Sequence, residues 1–223
     1  MEGRFEAAKS AVEDYARIFP GRFYLEVHNH GLLAQAAVMV GLMEIGRGLG
    51  LPLVAANDVH YLHQEQSELH DILLCSQQHL TLADEQRLRF LSSEYYFKSA
   101  SEMAAAFPHL PEALANTVEI ADRCQVELPR SSSRDAGHIA WNRFKLHQAL
   151  EVVGQALDLD EDEVEFLSDW ILKNEGDAPA ELARAARENP GVAKLLSLAA
   201  GLEGLPCHTS TQAASLDTDD QLE

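Results

Sequence analysis

Cysteine is scarce in this chain. Three cysteines occur in 223 residues, at positions 75, 124 and 207. They are odd in number, widely spaced and never in a C-x-x-C pair, which excludes a disulfide framework and a cysteine zinc site and predicts a reducing compartment. Basic side chains are also few: 17 Lys and Arg stand against 36 Asp and Glu, a formal charge of −19. Both halves of the chain share the acidic excess, so its mean field repels polyanions and weak or no autonomous DNA binding is expected. No stretch approaches the ~18 uninterrupted apolar residues of a membrane span. The amino terminus lacks the apolar run of a signal peptide, and a cytoplasmic protein without membrane contact is the expectation.

What is present describes a globular chain. Hydrophobic residues make up 46% and charged residues 24%, enough to bury a core. Single cores stop growing near ~250 residues and domains cluster at about 100–150, so two half-sized units are expected.

Phe5, Ala8, Val12, Tyr15, Ala16 and Phe19 recur three or four apart, the stripe of an amphipathic helix ending at Pro20-Gly21. Phe23–Val27 reads as a strand, residues 31–49 as a helix, and Leu53–Ala56 as a second strand after Gly50 and Pro52. Such a strand–helix–strand unit implies parallel strands, and in parallel α/β folds chemistry collects at their carboxyl ends. Helices follow at 64–77, after Ser99 with Glu102 as a capping box, and from Pro111, where Leu114, Val118, Ile120 and Ala121 are the expected buried face. Pro129–Arg134 is the clearest break in composition, and the boundary is placed there: an α/β domain over 1–130 and an all-helical region over 131–223. The second region should hold helices near 138–157, 161–174 (capped by Asp160 with Glu163), 178–188 and 190–203, with a frayed acidic end at Asp217–Asp220.

The most suggestive cluster is Asn57-Asp58-Val59-His60-Tyr61-Leu62. Alternate residues of an extended segment face the same way, which puts the Asp58 carboxylate beside the His60 imidazole. A hard oxygen and a borderline nitrogen suit zinc, manganese or iron, and a hydrolytic site needs such ligands plus an open position for water. The competing reading is a surface hydrogen-bonded pair. His28 and His30 form a second same-face pair that could converge on the first. His63, His70 and Asp71 are read as solvated polar side chains. Gly46, Gly48 and Gly50 follow a helix rather than joining a strand to one, so they mark a helix end and not a phosphate loop. Ser131–Ser133 lack the setting of a catalytic nucleophile, and the acidic run from Asp160 to Glu165 suits a helix start better than calcium.

These residues resemble those of a known family, the alpha subunit of bacterial DNA polymerase III. One block, from about Phe5 to Pro129, is similar to the second half of its amino-terminal PHP (polymerase and histidinol phosphatase) domain, through RFYLEVHNHG, GLPLVAANDVHYL, HDILLC, LRFLSSEYYFKS and PEALANTVEIADRCQVELP. A second, more divergent block from Arg134 to about Ala214 resembles the fingers region, through SRDAGHIAWNRF, VVGQALDL and GLEGLPCHTSTQAA. The resemblance implies a partial PHP-type α/β barrel followed by fingers-like helices. Asp58 and His60 match the last D-x-H metal-ligand motif of PHP domains. The family's H-x-H-S motif and other upstream ligands would precede Met1, so a two-ligand remnant should hold zinc or manganese weakly; His28 and His30 match no ligand of the family.

The resemblance also marks what this chain lacks. The palm segment, with its Gly-Ser-rich motif and P-D-x-D-x-D motif, is missing at the junction near Ser131–Ser133. A third catalytic aspartate would lie beyond the carboxyl end. No catalytic residue is therefore assigned, and the magnesium of the family's palm is not expected here. Where family members read H-T-x-T-H-A-A-G, this chain has His208-Thr209-Ser210-Thr211-Gln212-Ala213-Ala214-Ser215.

Three readings result. The first is a fragment or internally deleted relative of a replicative polymerase, a DNA-directed nucleotidyltransferase by resemblance, with DNA and replisome subunits as family partners. The second is a metal-dependent phosphoesterase or nuclease remnant at Asp58 and His60. The third is a non-catalytic acidic module for replisome interaction.

Overall fold

The structure, a computed structural model, describes residues 2–127, 143–173, 184, 186–187 and 189–207. The 129–134 break, Ser131–Ser133, most of the 178–188 helix, the His208–Ser215 run and the acidic end lie outside the described residues.

The elements in chain order are α1 (Glu2–Ile18), β1 (Leu25–Val27), α2 (Leu33–Leu49), β2 (Leu53–Ala55), a 3₁₀ turn (Gln64–Gln66), α3 (Ser67–Gln78), α4 (Ala100–Ala106), α5 (Pro111–Arg123), α6 (Leu146–Ala156), α7 (Glu161–Lys173) and α8 (Pro190–Leu202). They form two compact units: residues 1–67 with 90–127, and 68–89 with 128–223.

The first unit is α/β. β1 and β2 pair in parallel with Leu25 opposite Leu53 and Val27 opposite Ala55, and α2 is the connection between them. Gly50, at φ 65°, ends α2 in the left-handed conformation and its N–H returns to the Gly46 carbonyl, as a glycine at a helix end does. Val27 and Ala55 are buried with Phe107, Leu110 and Ala113, and Met39, Leu42 and Met43 of α2 pack on the same cluster. The Ser99 hydroxyl accepts from the Glu102 N–H at 3.3 Å and the Glu102 carboxylate from the Ser99 N–H at 2.8 Å, so α4 starts with the expected capping box. On α5 the expected buried face is met in part: Leu114 packs on the Val27 and Ala55 cluster and Ile120 is half-buried. Ala113 is buried, whereas Val118 is 61% exposed and Ala121 is also exposed. The cause is polar: the Asn116 amide donates to the Leu53 carbonyl at 2.7 Å, which turns that side of α5 toward β2.

The second unit is helical. Ile72 and Cys75 of α3 are fully buried with Leu150 and Val153 of α6, and with Leu195 and Leu202 of α8. A β-carbon on Gly154 would lie 2.6 Å from a methyl carbon of Val164; only glycine permits this approach of α6 to α7. Asp160 accepts from the Glu163 N–H at 3.2 Å and Asn189 from the Gly191 N–H at 2.9 Å, starting α7 and α8. α6 begins at Leu146, later than the apolar pattern suggests, because the Phe144 N–H donates to the Leu205 carbonyl at 2.9 Å and holds that residue extended.

Residues 68–89 pack with the later helices, although the sequence reading grouped them with the first 130 residues. The Leu82 N–H donates to the Ala156 carbonyl at 2.8 Å, and Lys194 pairs with Glu68 at 2.9 Å. Arg87 grips Asp71 with two hydrogen bonds of 2.5 and 2.8 Å from a side chain 6% exposed. Asp71 is therefore part of a half-buried ion pair, not the solvated side chain expected.

Candidate functional site

β1 and β2 run parallel, so the segments leaving them, His28–Gly31 and Ala56–His60, emerge at the same end of the sheet. Residues 90–98 cross that end. The His60 N–H donates to the Tyr95 carbonyl at 2.8 Å and the Phe97 N–H to the Tyr61 carbonyl at 2.9 Å. The Asn57 amide donates to the Tyr96 carbonyl at 2.6 Å.

Within this frame the two-residue alternation places Asp58 and His60 together, as the spacing predicts. His60 Nε2 lies 3.1 Å from Asp58 Oδ1, with the side chains 32% and 53% exposed. The His60 ring also packs at 4.5 Å against Phe90 and, edge-on, at 5.8 Å against Tyr95. One face of the imidazole is thus held by aromatic carbon while its Nε2 edge meets the carboxylate.

His28 and His30 lie with ring centres 5.7 Å apart but have different surroundings. His28 Nε2 is 2.6 Å from Glu26 Oε1, an exposed residue two earlier on the same side of β1. That pair edges a shallow, mainly apolar depression of about 230 Å³ along α2, with Val38 and Met39 in its wall. His30 is 1% exposed. Its Nε2 lies 3.1 Å from Asn57 Oδ1, its Nδ1 2.8 Å from Gln35 Nε2, and its ring stacks on Tyr95 at 4.0 Å. Burial, reinforced by the nearby charges of His28 and Lys98, pulls the His30 pKa below its ordinary value against the opposing pull of Asn57 and Asp58. Burial likewise raises the Tyr95 phenol, helped by Asp58, so both partners in the stack favour their neutral forms.

Asp58 and His60 supply the oxygen and nitrogen expected of a divalent metal site. Among the described residues, however, no group of three His, Cys, Asp or Glu side chains is placed to hold a metal ion. Two donors alone do not close a coordination shell, because structural and hydrolytic sites draw three or four ligands from the protein.

Sequence reasoning missed three members of this cluster, Glu26, Gln35 and Tyr95, and gave Asn57, although part of the run it singled out, no role. Glu26 was legible, since it precedes His28 by two in a strand. Gln35 and Tyr95 were not, because their relation to His30 arises only when a helix and a distant loop meet the sheet end.

Fold and site together define an α/β unit with an Asp–His pair at the carboxyl end of two parallel strands, in a chain that also carries a helical unit. No family model matches the chain. It is 42% identical over 131 residues to DNA polymerase III subunit alpha of Treponema pallidum, covering 58% of this chain and 11% of that protein. Against DNA polymerase III subunit alpha of Thermus aquaticus the identity is 40% over 132 residues, again 58% and 11% of the two chains. The error-prone DNA polymerase of Symbiobacterium thermophilum is 35% identical over 147 residues, covering 63% and 14%. The chain is related to bacterial DNA polymerase III alpha subunits over more than half its length, and the matched stretch spans about a tenth of those relatives. Among the described residues no helix is long and apolar enough to cross a membrane.

Proposed function

We propose that this chain is a fragment or internally deleted relative of a replicative DNA polymerase III alpha subunit, made of part of the PHP domain and part of the fingers region. The carrying observation is the 42% identity over 131 residues to a protein of which that stretch is 11%. In this reading β1, α2 and β2 are part of a PHP-type barrel. α2 supports it: Leu33 is 91% and Val40 63% exposed, and seven residues apart they share an uncovered apolar face of the helix, one suited to burial in a larger α/β body. DNA and replisome subunits are the partners of the longer polypeptide, in the cytoplasm.

On its own the chain does not polymerise. Nucleotidyl transfer by two magnesium ions requires carboxylates that hold them, and the P-D-x-D-x-D motif does not occur in this sequence. Primer extension by the pure protein with magnesium and all four deoxynucleotides should give no product; magnesium-dependent synthesis would overturn the reading.

A second reading is favoured by the 3.1 Å approach of Asp58 to His60. It makes the pair the remnant of a phosphoesterase-type metal site that binds zinc or manganese weakly. Zinc and manganese content after mild dialysis should fall in Asp58→Ala relative to the parent, and equal content in both ends this second reading.

A further inference from the structure

His30 has no free ring nitrogen. Gln35 Oε1 accepts the His30 backbone N–H at 2.8 Å, which fixes the orientation of that amide and points its NH₂ at His30 Nδ1, 2.8 Å away. Asn57 donates its NH₂ to the Tyr96 carbonyl at 2.6 Å, which leaves its oxygen for His30 Nε2 at 3.1 Å. An amide NH₂ only donates and an amide oxygen only accepts, so His30 is the neutral tautomer protonated at Nε2, set from both sides by backbone-anchored amides. Its one lone pair is occupied. It has nothing to offer a metal or a substrate.

The network leads instead to the exposed pair. Asn57 directly precedes Asp58 and is held between His30 and Tyr96. Tyr95, on which the His30 ring stacks, accepts the His60 N–H. Residues 57 and 60 are thus fastened at the two ends of the segment that presents Asp58 and His60.

We propose that His30 is a positioning residue: through Asn57 and Tyr95 it fixes the backbone from 57 to 60 so that the Asp58 and His60 side chains meet. The inference rests on the reading of that pair as the functional element of the first unit.

The test uses the full 223-residue chain and two readouts, amide hydrogen exchange and manganese-induced broadening of the residue 58 and 60 NMR signals. His30→Phe keeps burial and stacking but removes both ring nitrogens. Losing one hydrogen-bonded link should speed exchange of the His60 amide about tenfold and weaken manganese broadening to a similar degree. The Ala56 amide, which donates to Val27 within the sheet, should change far less. His30→Gln, which restores a donor and an acceptor without the ring, should recover part of the loss. A His60 amide that exchanges like the parent's in folded His30→Phe overturns the proposal. If that variant fails to fold, Asn57→Ala decides, since it cuts the link, together with the bond to the Tyr96 carbonyl, and leaves the His30–Gln35–Tyr95 contacts in place: retained His60 protection overturns the proposal and loss at that amide supports it. Asp58→Ala separates the two ideas. Unchanged manganese broadening in that variant removes the metal reading, while the positioning role stands or falls on exchange alone.

Discussion

The two units bury their side chains by different means. In the helical unit the interior is mainly apolar, with Ile72, Leu150, Val153, Leu195 and Leu202 at 2% exposure or less, and its buried polar side chains, Arg87 and Ser168, each bond a single carboxylate side chain, Asp71 and Glu151. In the α/β unit the buried centre joins a small apolar cluster to a polar network, and a histidine is among its most deeply buried side chains. Its longest helices are half uncovered: Tyr15, Ile18 and Phe19 at the end of α1 and Leu33 and Val40 on α2 are all at least 50% exposed. The contrast teaches that the two units answer to different perturbations. Apolar packing is sensitive to volume, whereas a hydrogen-bonded network is sensitive to protonation and to the loss of single partners.

The largest effect should come from emptying the helical core. Leu150→Ala is expected to cost about 2–5 kcal/mol, read as faster amide exchange across α3, α6 and α8, with exchange in β1 and β2 unchanged. An equal loss in both units would break the comparison. Adding volume is the complementary test. Gly154→Ala should cost about 1–3 kcal/mol, since Val164 occupies the position of the new β-carbon; a neutral result in denaturant unfolding would show that α7 moves away freely.

Acid should separate the units next. The folded state depresses the His30 pKa below 6.5, so the unfolded chain binds the proton more readily. The stability His30 contributes is then complete above its unfolded pKa and is lost as pH falls below that value toward the folded one. The groups acting on it are His28 and Lys98, which disfavour its charge, and Asp58, which favours it. In the helical unit Asp84 has its pKa lowered by hydrogen bonds from the Thr81 N–H and hydroxyl. Its contribution persists to lower pH and disappears as pH falls through the depressed carboxylate value. Amide protection, taken relative to the intrinsic exchange rate at each pH, should therefore fall first in the α/β unit as pH is lowered from 7, and His30→Gln should remove that early fall; simultaneous onset in both units would count against this assignment.

The smallest effect should come from the uncovered helix. Val40→Lys on α2 is expected to change stability by less than about 0.5 kcal/mol while reducing self-association in sedimentation at high concentration. A large destabilisation would mean that this face is packed in solution.

Local pattern made much of this legible. The strand–helix–strand order, the Ser99–Glu102 box, the Asp160 cap and the α2 end at Gly50 follow from spacing and from residues whose conformational preferences act over a few positions. So did the meeting of Asp58 with His60, because an extended backbone alternates its side chains whatever surrounds it. The α5 face was misjudged at Val118 and Ala121 because Asn116 reads as an outward polar residue until a strand carbonyl is available to it. Asp71 was misjudged for the same reason, its partner Arg87 lying 16 residues away.

The sequence by itself determined the periods, the caps, the acidic balance and the relationship to polymerase alpha subunits, all of which are carried by neighbours along the chain or by identity position by position. Only the tertiary structure decided that residues 68–89 pack with the later helices and that His30 is a buried link with both ring nitrogens in use. Those outcomes depend on hydrogen bonds and packing between segments distant in sequence, and a histidine's role is set by which groups the fold brings to its two nitrogens.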